Sequence, residues 1–264
     1  MPGPSSNKTI AKNTVFLYFR MMFTMIVSLY TSRVILQTLG IGNYGIYQSV
    51  GGIVGFLSFI NSALSTGSSR FLTYELGTGD LEKLKRTFST TMTIHVVIAF
   101  GVVIIGETLG IWFLYNKLVI PMDRMEAAVY VFHISILTAV FTLTQVPYNA
   151  SIIAHEKMSV FAYMSVLEVS AKLGIVYLLS IGDYDKLKLY ASLLFIVQVG
   201  IICIYRFYCS RHFKETIYHF VFDKAIFKEI AGFSGWSLFA SGSIALNSQG
   251  ILILLNMFFE PAVV

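Results

Sequence analysis

The stretch Met158–Leu179, MSVFAYMSVLEVSAKLGIVYLL, decides the fold. It is apolar over the ~20 residues that a helix needs to cross a bilayer. Glu168 and Lys172 lie near its centre. An ionised side chain at mid-bilayer costs about 3 kcal/mol on insertion scales, so such residues are rare and point first to a substrate or ion pathway. Four residues apart, the two share a helix face, and glutamate before lysine is the favourable order. The pair supports two readings of equal weight. In one it borders a hydrated cavity, where Lys172 meets an anionic substrate and Glu168 tunes it or carries a proton. In the other it is a structural clamp at a helix interface, because removing one partner of a buried pair destabilises whatever its role.

The rest of the chain agrees with a membrane setting. Of 264 residues, 56% are hydrophobic and 12% charged, against about 25% charged in soluble domains. This composition implies an all-α polytopic membrane protein. Seven apolar runs are long enough to span: Thr14–Thr38, Gly45–Ser65, Thr90–Tyr115, Ala127–Ile153, Met158–Leu179, Leu189–Tyr208 and Ala231–Phe258. Only helices or closed barrels satisfy the backbone in lipid. These long runs lack period-2 alternation and therefore read as helices. Lys8 and Lys12 precede a first run too long for a signal peptide, so the first helix is expected to be an uncleaved anchor.

Lysine and arginine set the orientation. With the N-terminus cytoplasmic, twelve lie in inner segments and four in outer loops, leaving Arg20, Arg33 and Lys172 inside spans. The net charge of +5 is thus a topology signal, and no nucleic-acid partner is implied. The organisation expected is a cytoplasmic segment 1–13, a six-helix unit 14–208, a basic and aromatic cytoplasmic connector 209–230, and a last helix in 231–264. Phe71–Arg86 reads as a charged inner loop with a helix starting after Asp80. Asp223 reads as the cap of a helix leading into the last run. The aromatic mixture of the connector fits a helix at the headgroups, although a plain interfacial link is favoured.

Other polar groups in the spans are cavity candidates. Arg33 lies in the outer part of span one, and arginine suits phosphate recognition. Arg20 lies 13 residues earlier and about 140° around the helix, and reads as snorkelling to the headgroups. Glu107, in the outer half of span three, is a candidate partner for Arg33. Gln145 and Asn149 flank Pro147, which frees a backbone carbonyl. Gly51 and Gly55 form a small-xxx-small pattern for close helix approach. Enzyme signals are weak. Asp183-Tyr-Asp185 matches a carboxylate pair of nucleotide-sugar enzymes but reads as an outer turn. His95, His133 and His155 share no spacing, Cys203 and Cys209 suggest neither metal nor disulfide, and no cofactor motif is present.

Several stretches carry a family resemblance. Leu29-Tyr30-Thr31-Ser32-Arg33, the run Leu39–Tyr47 (LGIGNYGIY), Arg70–Gly77 (RFLTYELG) and Val146–Lys157 (VPYNASIIAHEK) resemble the O-antigen and capsule flippases of bacterial polysaccharide synthesis. These belong with multidrug extruders and lipid II flippases in one exporter superfamily. The resemblance implies two six-helix lobes, of which this chain supplies the first and the opening helix of the second. It implies an inner-membrane location and an undecaprenyl-pyrophosphate-linked oligosaccharide moved between leaflets by alternating access. It also implies lipid and pathway proteins such as a polymerase as partners. Glu260 stands where the family pattern leads one to expect glycine, and the remainder of the second lobe is missing.

On this reading Arg33, Lys172, Glu168, Glu107, Gln145 and Asn149 surround an anionic headgroup. Burial, rather than the resemblance, selects these residues. The alternatives are a cation-coupled drug or metabolite antiporter of the same fold, a membrane glycosyltransferase or polymerase, and a non-transporting scaffold.

Overall fold

The computed structural model describes residues 4–56, 58–179 and 184–259. Asp183 and Glu260 lie outside them. The described residues are helical, with no strand among them. Helix α1 covers Pro4–Leu39, α2 Ile41–Phe56, α3 Ser58–Thr78 and α4 Leu81–Ile105. A π-type turn, Gly106–Gly110, leads into α5, Ile111–Asn116. Then come α6 (Met125–Ala154), α7 (Met158–Leu178), α8 (Lys186–His212) and α9 (Lys224–Phe258). Six helical stretches are long and apolar enough to cross a membrane, and α2 with α3 forms a seventh if the bent pair is one span. The all-α polytopic fold expected from composition is therefore observed.

The elements differ from the expected runs where local chemistry intervenes. Span two is broken by a 47° bend between α2 and α3. The segment Phe71–Arg86 is not an open loop: α3 continues to Thr78, and α4 starts at Leu81. Gly79 makes the turn with φ of +77°, a conformation that costs glycine little. Asp80 then accepts the Lys83 N–H at 3.0 Å and caps α4. Gly40, at φ +80°, is the single residue between α1 and α2.

No separate helix lies at the headgroups in the connector. Lys214–Thr216 is one 3-10 turn, and extended chain follows. This chain is fixed to α4, with His219 N–H donating to Ser89 Oγ and Asp223 N–H to Thr90 Oγ1. Asp223 caps α9 as expected, accepting from Ala225 and Ile226 N–H at 2.9 and 3.2 Å. That helix runs unbroken to Phe258.

Helix α6 is the hub, packing on α2, α3, α4 and α8. Its Phe132, Val131 and Ala128 are fully buried. The π-type turn lets α4 close on it. A Cβ at Gly106 would sit 2.6 Å from Ile136 Cδ1, and one at Gly110 the same distance from Phe132 Cζ. Helix α1 packs on α7 and slightly on α2, and α9 packs on α3 and α2. Hydroxyls within spans donate to carbonyls four residues back, as Thr31 does to Val27 at 2.7 Å. Such bonds satisfy polar side chains without water.

Candidate functional site

Six elements line a half-open cavity of about 330 Å³. Its walls come from α2, α3, α4, α6, α7 and α8, and among the described residues Lys172 is the one charged residue lining it. Most of the remaining lining is apolar, including Val54, Val102, Ile134, Leu143, Leu194 and Phe195. Gly51 and Gly55 line it too, and no atom lies within 4 Å of a Cβ built at Gly51. That glycine therefore opens the cavity rather than bringing two helices into close contact.

The polar walls divide by hydrogen-bond sense. Ser135, Thr138 and Thr142 line the α6 side. Each donates its proton to a carbonyl of its own helix at 2.8 Å, Val131, Ile134 and Thr138 respectively. Their lone pairs remain as acceptors. Donors come from the other walls: Lys172 Nζ, with the side-chain amides of Asn61 and Gln198. Asn61 Oδ1 is buried with no protein partner. The cavity thus places a cation and two amides, each able to donate and to accept, opposite a row of acceptors.

Glu168 accepts from Lys172 Nζ at 2.6 Å. Their side chains are 29% and 39% exposed, so the pair is only partly withdrawn from its surroundings. Glu168 does not line the cavity but sits one turn inward of Lys172.

Helix register corrects the assignment of the arginines. Helices α1 and α7 meet at Phe16–Tyr163, ring centroids 6.0 Å apart, and at Tyr30–Tyr177, hydroxyls 3.0 Å apart. Both pairs are separated by 147 residues in sequence, so the two helices run parallel and in step. Arg20 is then level with Leu167, beside Glu168. It is half-buried on the arc of α1 that also carries buried Thr31. Arg33, the expected cavity residue, is exposed on another arc. It stands eight residues further out than the level of Lys172, about 12 Å along the helix.

The expected Arg33–Glu107 pair does not form. Glu107 Oε2 lies 3.2 Å from His133 Nε2 instead. His133 Nδ1 lies 2.8 Å from the Val129 carbonyl, which takes its proton. Gln145 and Asn149 do not line the cavity either. Gln145 Nε2 donates to Asn149 Oδ1 at 3.0 Å, and Gln145 is buried. Beside them Arg206 donates to Thr144 Oγ1 at 2.6 Å and stands over the Tyr148 ring.

At the end of the bundle where α6 and α8 begin, Asp185 caps α8 and receives two parallel bonds from Arg124, at 3.0 and 3.2 Å. Burial opposes the Asp185 charge, but the Lys188 N–H, Arg124 and the Leu187 N–H outweigh it and hold the carboxyl below its ordinary range. This is structural use of a residue that the sequence pattern offered as an enzyme motif.

Comparison with family models and with curated proteins finds no match for the chain. Among solved structures, a MOP superfamily transporter from Pyrococcus furiosus superposes with a TM-score of 0.63 at 14% sequence identity. That transporter is described as having a binding pocket of reverse polarity, which suggests a different function for it. The chain shares the fold of that protein. The superposition covers 93% of this chain and 62% of the other, so this chain spans under two thirds of its length. The fold accords with the exporter superfamily expected from sequence and does not separate polysaccharide exporters from its other branches.

Proposed function

We propose that the chain forms the larger part of a flippase for lipid-linked oligosaccharides. It would move an undecaprenyl-pyrophosphate-linked glycan from the cytoplasmic to the outer leaflet of a bacterial inner membrane. The single observation that carries this reading is Lys172, the one charge among the described residues that line the cavity. A pyrophosphate attracts a cation strongly where the surroundings have a low dielectric. The Asn61 and Gln198 amides add neutral donors, and the acceptor row on α6 suits the hydroxyls of a sugar. The cavity volume suits the charged head of such a lipid and not the whole molecule, so the tail and most of the glycan extend beyond it. Alternating access by rocking lobes around such a site is the general transporter scheme.

The test is Lys172→Met, scored by export of surface polysaccharide at equal protein level. Losing a charge-assisted contact in the cavity should cut export by about tenfold or more. Undiminished export would remove Lys172 from the mechanism and the reading with it.

A further inference from the structure

Arg20 presents an energetic problem that the proposed function leaves open. It is a guanidinium within an apolar span, half-buried on the bundle side of α1. Among the described residues it has no ion-pair partner. A cation in that position ordinarily pairs. A carboxylate stands at its level, since the step between α1 and α7 sets Arg20 beside Glu168. That carboxylate is held by Lys172 one turn outward.

We propose that Glu168 is a movable counter-ion, shared in turn by Lys172 and Arg20, and that Arg20 is a positioning residue for anion binding. This rests on the reading of Lys172 as the anion-binding group. In this structure Glu168 neutralises Lys172, and Arg20 has no ion-pair partner among the described residues. An entering phosphate or pyrophosphate takes the Lys172 ammonium, and Glu168 turns inward to Arg20. Loading therefore leaves none of the three charges unpaired, whereas without Arg20 it would strand a carboxylate in the bundle. Stranding one partner of a buried pair is the costly outcome.

The three groups sit where this exchange needs them. Glu168 is off the cavity wall while Lys172 is on it, so the anion meets the cation first.

The test is calorimetric binding of two probes, inorganic pyrophosphate and farnesyl pyrophosphate, to the full chain in lipid nanodiscs. Binding of farnesyl pyrophosphate alone assigns the site to a lipid headgroup. Binding of both equally assigns it to the free anion. Either serves the exchange, and binding of neither overturns it. Glu168→Gln removes the competitor and should tighten binding. Arg20→Gln should weaken it by about threefold or more, as expected within one charge network.

In the Glu168→Gln background, Arg20→Gln should change affinity by less than about twofold, because no carboxylate remains to be stranded. Arg20→Lys should keep wild-type affinity and controls for folding. An equal loss from Arg20→Gln in both backgrounds would overturn the exchange, since Arg20 would then act directly or through the fold. No loss in either background would also overturn it. Unchanged binding by Lys172→Met would instead refute the underlying reading of the cavity.

Discussion

Glu107 and His133 show how one hydrogen bond decides the meaning of an intramembrane charge. The imidazole has acceptors on both sides, the Val129 carbonyl and the Glu107 carboxylate. The contact ties the π-type turn after α4 to α6. Arg33 is exposed on another helix and plays no part in this. In unfolding measurements in micelles, Glu107→Gln and His133→Gln should be non-additive by about 0.5–3 kcal/mol, the usual coupling of contacting residues. Glu107→Gln and Arg33→Gln should simply add. Additivity in the first cycle would refute the His133 contact, and coupling in the second would restore the pairing suggested by depth alone.

At the scale of elements, what the sequence made legible was local and what it hid was rotational. The seven apolar runs were readable because spanning length needs no knowledge of neighbours. The Glu168–Lys172 pair was readable for the same reason, since residues four apart on one helix meet wherever the helix sits. The choice between Arg20 and Arg33 was not. Helix α1 is apolar on most arcs, and only its packing on α7 shows which arc faces the bundle. The break between α2 and α3 was hidden too. Polar residues past Ser65 resembled a span end, whereas α3 continues to Thr78.

The Arg124–Asp185 clamp also belongs to this scale, because it ties the start of α6 to the start of α8. The Asp185 carboxyl titrates below its ordinary 3.8 when folded. The clamp's contribution is therefore complete above the unfolded value and lost as pH falls through the lower folded value. Acid unfolding should show this loss below pH about 3.8. Asp185→Asn should flatten that limb and lower stability at neutral pH. An acid limb unchanged by Asp185→Asn would show that the clamp contributes nothing.

At the scale of the whole molecule, the two ends of the bundle differ in charge and in construction. One end carries the connector, the α3–α4 turn and most of the lysines and arginines. The other carries the loop before α6 and the Arg124–Asp185 clamp. The excess of basic residues predicts that the connector end faces the cytoplasm. Two side chains offer clean reporters, because Met122 is 90% exposed at one end and Phe220 is 89% exposed at the other. Cys203 is exposed on α8 and must first be replaced by alanine, while Cys209 is fully buried and can stay. In intact cells a membrane-impermeant maleimide should label Met122→Cys and spare Phe220→Cys. Permeabilised cells should label both. Labelling of Phe220→Cys alone in intact cells would invert the molecule. Glu168 and Arg20 would then lie on the outer side of Lys172, and the counter-ion would have to move outward as an anion loads.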